Sequence, residues 1–126
     1  VLFRLRGALF QAGAQMPGLA AGDTQKGGPP DGVFQQFDQT IGLERLKVFH
    51  INGSLNPCGA RKDRHANLGA EENNPKGKDY IGKSVFSALV KHPASFGRPL
   101  ILETPWLDNK TNLYQEEIEF LKSAAR

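Results

Sequence analysis

Leu46-Lys47-Val48-Phe49-His50-Ile51-Asn52 and Leu100-Ile101-Leu102-Glu103-Thr104-Pro105 set the architecture of this chain. Each begins as a short apolar run of the kind that suits a strand covered on both faces, as in a parallel sheet. Each also carries, at the end of that run, a side chain able to bind a metal. Period-two alternation puts His50 on the side of Val48 and Glu103 on the side of Ile101. An ionised carboxylate directly after Leu100, Ile101 and Leu102 is costly without a partner, so Glu103 asks for one.

Around these two runs the pattern turns helical. Asp31 suits an N-cap, and Val33, Phe34, Phe37 and Ile41 come after it at helical spacing until Gly42 stops them. Ser84 suits the cap of a second helix that carries Val85, Phe86, Leu89 and Val90 on one face and ends before Pro93. A third places Tyr114, Ile118, Leu121 and Ala125 on one stripe. Its Glu116, Glu117 and Glu119 come early and its Lys122 and Arg126 late, matching the helix dipole. The order helix, strand, helix, strand, helix implies parallel βαβ units, in which functional groups gather at the carboxyl ends of the strands.

The first 32 residues differ, holding seven of the fourteen glycines, three of the eight prolines and no His or Cys. A short strand fits residues 1–5, and residues 13–31 read as loop or disorder. The expected division is therefore an irregular segment over 1–32, foreign to the fold, and an α/β unit over 33–126. With 126 residues the chain is about half the length of a (β/α)₈ barrel of roughly 250 residues, so part of a larger fold is expected. No stretch approaches the roughly 18 apolar residues that span a bilayer, and the single Cys58 excludes an internal disulfide. An intracellular protein without a membrane partner is the expectation: cytoplasmic in a bacterium, nuclear or mitochondrial in a eukaryote.

Sixteen basic residues stand against thirteen acidic ones, with a pI near 9.2. Arg61, Lys62 and Arg64 surround Asp63 just before His65, a placement that suits attraction of phosphate; a solvated basic loop is the plainer reading. His50, Asp63, His65 and Glu103 together form a set of imidazoles and carboxylates of the kind that Zn²⁺ or Mn²⁺ accepts. Asp63 and His65, two apart on an extended segment, point to one side. Read singly, these residues have ordinary roles, since a lone His at a strand end usually bonds to backbone and Asp-x-His is a weak motif. His92 before Pro93 reads as a surface residue near the last carbonyls of its helix. Cys58 reads as a turn residue, and residues 70–79 as an exposed loop.

Several strings occur in an order that resembles the C-terminal part of the endonuclease IV family of zinc-dependent apurinic/apyrimidinic endonucleases. They are Gly42-Leu43-Glu44-Arg45-Leu46-Lys47, His50-Ile51-Asn52, Gly59-Ala60-Arg61-Lys62-Asp63-Arg64-His65-Ala66-Asn67-Leu68-Gly69, Tyr80-Ile81-Gly82, His92-Pro93 and Leu100-Ile101-Leu102-Glu103-Thr104-Pro105. The resemblance implies the C-terminal portion of a TIM (β/α)₈ barrel, incomplete, with about two barrel strands and three helices. It implies hydrolysis of the phosphodiester bond 5′ to abasic sites in double-stranded DNA, during base excision repair, by a monomeric enzyme with three zinc ions. By position His50 and Glu103 match ligands of one zinc, and Asp63 and His65 ligands of another. Glu103 is thereby both the metal and the catalytic candidate, while Arg64 and, more weakly, Lys62 match DNA contacts.

The departures from that pattern are specific. The family's upstream Asp-Thr-Cys-His string has no counterpart before His50, apart from a faint likeness of Ala20-Ala21-Gly22-Asp23 to the residues just after it. Gly53 and Leu55 stand where the family's His-x-Asn-Asp-Ser-Lys segment has Asp and Lys. Residues 70–79 are longer than the family's turn. Two further readings fit the residues: a non-catalytic nucleic-acid-binding fragment using Arg61, Lys62 and Arg64, or a metal-dependent barrel of the sugar isomerase kind.

Overall fold

The computed structural model describes the backbone of residues 2–5 and 8–11, and residues 31–57 and 60–126 in full. Among the described residues nine strands and helices succeed one another: β1 (Leu2–Leu5), β2 (Ala8–Gln11), α1 (Asp31–Thr40), β3 (Val48–Ile51), β4 (Gly53–Ser54), β5 (His65–Ala66), α2 (Lys83–Lys91), β6 (Leu100–Leu102) and α3 (Tyr114–Ala124). Short 3₁₀ turns at Leu43–Arg45 and Pro93–Ser95 lead into β3 and towards β6. The expected alternation of three helices with two principal strands is present. The reading of residues 13–30 as loop lies outside the described residues.

β3 and β6 pair in parallel, with His50 opposite Ile101 and Ile51 opposite Leu102. Phe49 and Ile51 are buried, and Val48 and His50 are half-buried on the opposite face. Leu100 and Leu102 share the buried side, whereas Ile101 is exposed. The helical side of this pair carries the core: Phe34 and Phe37 from α1, Phe86 and Leu89 from α2, and Leu121 from α3 close over Phe49 and Ile51. Phe34 meets Phe49 edge to face at 6.0 Å, the arrangement aromatic quadrupoles favour. The open side is the one that faces the interior in a closed barrel.

On its other edge β3 pairs antiparallel with β1, and β1 with β2, giving the order β2-β1-β3-β6. A barrel strand has parallel neighbours on both sides, so this hairpin departs from barrel geometry; it satisfies the backbone groups that an open edge of β3 would leave unpaired. The expected strand over 1–5 is β1, while β2 had no signal in the sequence.

Three local expectations change. Ser84 does not cap α2; the helix starts at Lys83, Gly82 takes the cap position at φ 86°, and the amides of Ile81 and Gly82 donate to the Asp79 carboxylate. Along α3 the buried residues are Glu117 and Leu121, with Ile118 exposed, so the apolar stripe runs one residue off the expected line. His92 is not at the surface among the last carbonyls of α2. Its ring stacks on Phe34 at 4.3 Å, its Nδ1 accepts from Ala94 N–H, and its Nε2 lies 3.1 Å from Asp31.

Arg98 clamps the approach to β6. Its guanidinium donates to the carbonyls of Leu46 (2.7 Å), Ala94 (2.7 Å) and Leu43 (2.9 Å), tying both 3₁₀ turns to the start of β3. Charge-assisted bonds of this kind are the stronger class, and Arg presents them in a planar fork. Arg98→Ala removes the guanidinium donor from three carbonyls, of which Leu43 O keeps the Leu46 N–H, and is expected to lower the unfolding free energy by about 2 kcal/mol, read by urea titration; Arg98→Lys should recover only a minor part.

Candidate metal centre

The parallel register of β3 and β6 sets the first pair. Past the end of β6, Glu103 N–H donates to Ile51 O at 3.0 Å, which carries the ladder one residue further and leaves the Glu103 side chain on the His50 side. Glu103 Oε2 then lies 3.3 Å from His50 Nδ1. That nitrogen is buried, and the contact lacks hydrogen-bond alignment, so the ring has a donor or acceptor site aimed at the carboxylate without a bond that satisfies it. A buried polar atom in this state is unusual and fits a missing third participant.

The second pair comes from the β4–β5 hairpin. Ser54 faces His65 across the two strands, and Leu55 N–H donates to Arg64 O, so the loop between them is closed at its neck. His65 Nε2 lies 3.5 Å from Asp63 Oδ1. His65 Nδ1 lies 2.7 Å from the backbone oxygen of Glu103. A carbonyl can only accept, so Nδ1 is the donor, and a neutral ring then carries its lone pair on Nε2, the nitrogen on the Asp63 side. This is how backbone carbonyls set the tautomer of metal-binding imidazoles. Glu103 thus serves both pairs, by its side chain towards His50 and by its main chain towards His65.

All four proposed ligands are brought to one end of the β3–β6 sheet, as two pairs. Among the described residues no three His, Cys, Asp or Glu side chains converge as a metal cluster. Arg61, Lys62, Asp63 and Arg64 are exposed, Arg61 has φ 54°, and Arg64 Nη1 donates to Asp63 O at 2.7 Å. Lys62 and Arg64 therefore reach solvent beside Asp63 and His65. Cys58 and Gly59 lie outside the described residues.

Two buried carboxylates that the sequence did not single out brace this end of the sheet. Glu117 on α3 accepts from Leu68 N–H (2.9 Å), the Asn67 amide (3.2 Å) and the Thr104 hydroxyl (2.5 Å). It joins the segment after His65 to the residue after Glu103. Its spacing of four from Leu121 was the available signal. Asp79 was expected in an exposed loop; residues 71–73 and 75–76 of that loop are exposed, but Asp79 is buried and accepts from the amides of Ser54, Gly69, Ile81 and Gly82.

A family model described as the xylose isomerase-like TIM barrel matches residues 10–124. The chain belongs to that family. Relatives similar to it are named as endonucleases, in agreement with the sequence resemblance. It is 44% identical over 97 residues to a probable endonuclease 4 of Geobacillus sp. (strain WCH70), covering 74% of this chain and 30% of that protein. Against the probable endonuclease 4 of Latilactobacillus sakei the identity is 47% over 96 residues, with 73% and 29% covered. The crystal structure of endonuclease IV from Thermus thermophilus superimposes with a TM-score of 0.56 at 30% identity, over 82% of this chain and 35% of that one. The chain spans about three tenths of the length of the curated relatives it matches.

Glu117→Ala removes the acceptor from a buried amide, a side-chain amide and a hydroxyl at once. A loss of about 3 kcal/mol in urea unfolding is expected, whereas Ile118→Ala on the exposed side of the same helix should change it by under about 0.5 kcal/mol.

Proposed function

We propose that this chain carries part of the metal and DNA site of an endonuclease IV-type DNA repair enzyme, which hydrolyses the phosphodiester bond 5′ to an abasic site. The observation that carries the reading is the buried His50 Nδ1, unbonded and 3.3 Å from Glu103 Oε2, in a chain whose curated relatives are named endonuclease 4. The donor set, two imidazoles and two carboxylates, fits zinc, and Mn²⁺ takes the same donors.

In this reading His50 and Glu103 hold one ion, and Asp63 with His65 Nε2 holds another. Zinc, when bound, would supply Lewis acidity that eases loss of a proton from water, making it nucleophilic towards phosphorus near neutral pH, and would offset charge on the phosphate. The residues of the chain do the rest. The Glu103 carbonyl keeps the His65 ring in the tautomer that presents Nε2, and its carboxylate stands beside His50 as the other donor to the same ion. Arg64 and Lys62 draw the DNA backbone towards Asp63 and His65 through phosphate contacts, which position the duplex without reading its sequence.

Two ligand pairs make a weak site, so the chain alone is expected to bind metal loosely and not to cut. The direct test is a Zn²⁺ titration by calorimetry with a parallel incision assay on a duplex bearing one abasic site. Zinc binding weakened about tenfold or more by His50→Ala and by Glu103→Ala, with no incision, is the expected result. Incision abolished by Glu103→Ala would contradict the part-site reading, and zinc-independent, salt-sensitive DNA binding unaffected by His65→Ala would favour a plain nucleic-acid-binding module.

A further inference from the structure

Gly53 is the residue that separates β3 from the hairpin carrying His65, and its lack of a side chain has a specific cause. A Cβ placed on it would lie 2.7 Å from Asp79 Cγ, 2.8 Å from Asp79 Oδ1 and 2.9 Å from the main-chain oxygen of Asn67. Its backbone conformation is not of the left-handed kind that demands glycine, so space alone excludes a larger residue. A carboxylate fills that space. Because the next carbon–carbon bond is about 1.5 Å long, an acid borne on residue 53, in the rotamer turned towards Asp79, would bring its own carboxyl to within little more than about 1 Å of the place of Asp79 Cγ, provided the Asn67 main chain gives by a few tenths of an ångström.

The Asp79 carboxylate uses all of its acceptor capacity there. Oδ1 accepts from Ser54 N–H (2.9 Å) and Ile81 N–H (2.9 Å); Oδ2 accepts from Gly69 N–H (2.8 Å) and Gly82 N–H (3.1 Å). A carboxylate offers about four lone-pair sites, so none is left over. Its main chain is fixed as well, with Asp79 N–H on Ala70 O and Tyr80 N–H on Ser54 O, both at 2.8 Å. Ser54, the residue held by both Asp79 and Tyr80, is the cross-strand partner of His65.

We infer that Gly53 and Asp79 are an exchanged pair: a carboxylate delivered across space from residue 79 takes the place of one that residue 53 could itself carry, and Asp79 is a positioning residue for His65. The departure noted in the sequence, a glycine at 53 where the resembled segment has Asp, is then compensated within this chain by the lengthened 70–79 segment. The role assigned to His65 rests on the proposed function; the exchange itself does not.

The test is a four-member cycle on the full chain: the native protein, Asp79→Gly, Gly53→Asp, and the double variant Gly53→Asp/Asp79→Gly. All four are compared in buffer containing a stabilising osmolyte, with thermal unfolding tracked by the fluorescence of Trp106, the single tryptophan. Asp79→Gly leaves four amides without an acceptor and Gly53→Asp crowds the two carboxyls. Each is expected to lower the midpoint by on the order of 10 °C, and the double variant, which relieves the carboxyl crowding but keeps the tight approach to Asn67 O, to lose clearly less than the sum of the two and to lie above Gly53→Asp. If a single variant is unfolded, a folded double variant supports the exchange and an unfolded one overturns it. Additive losses also overturn it.

The positioning role is read separately, from the His65 ring resonances. They should shift in Asp79→Gly and return towards native in the double variant; a His65 signal untouched by either change removes that role. A zinc titration of the native chain keeps the two ideas apart. Rescue by the double variant in a protein that binds no zinc sinks the metal reading and leaves the exchange standing, whereas zinc binding without rescue does the opposite.

Discussion

Parallel pairing of β3 with β6 fixes which side chains can meet at the end of the sheet. With Ile51 opposite Leu102, and Glu103 N–H bonded to Ile51 O, the first residue beyond β6 has little choice of direction. Its carboxylate must stand beside His50. The alternative, a slip of one residue, would turn Leu100 and Leu102 away from Phe49 and Ile51 and expose the faces that α1, α2 and α3 cover. Hydrophobic burial on one side of two short strands thus dictates polar chemistry on the other.

The second pair touches the first directly at the Glu103 carbonyl. Glu103 O receives the His65 Nδ1 proton, and the segment carrying His65 is held from behind by Glu117 through Leu68 and Asn67. Thr104, next to Glu103, bonds to the same Glu117 carboxylate. One buried acid on α3 therefore sets the distance between two loops that belong to different strands. Buried charge is costly unless fully satisfied, and here the satisfaction comes from groups whose spacing matters to the site.

Much of this arrangement was legible in the sequence because it derives from local periodicity. The parity of His50 with Val48 and of Glu103 with Ile101 needed only the period of a strand, and the α1 and α2 faces only the period of a helix. Long-range satisfaction of polar groups was not legible. Glu117 reads as a dipole-friendly surface acid until Thr104 and Leu68 arrive from 13 and 49 residues away. Asp79 reads as loop because its main partners, Ser54 and Gly69, are 25 and 10 residues distant. Ser84 reads as a cap because nothing local reveals that Asp79 already takes the Gly82 amide. Membership of the xylose isomerase-like barrel family accounts for the parallel pair, and the antiparallel β1–β3 pairing is the feature it does not explain.

The tautomer of His65 is the most exacting check on this arrangement, because the bond to Glu103 O is the direct contact between the two pairs. Nitrogen NMR of histidine-labelled protein, at a pH where the ring is neutral, distinguishes the protonated from the bare ring nitrogen. The structure requires a proton on Nδ1 and a bare Nε2, with the Nδ1–H signal protected from exchange. A proton on Nε2, or rapid averaging between the two forms, would contradict it.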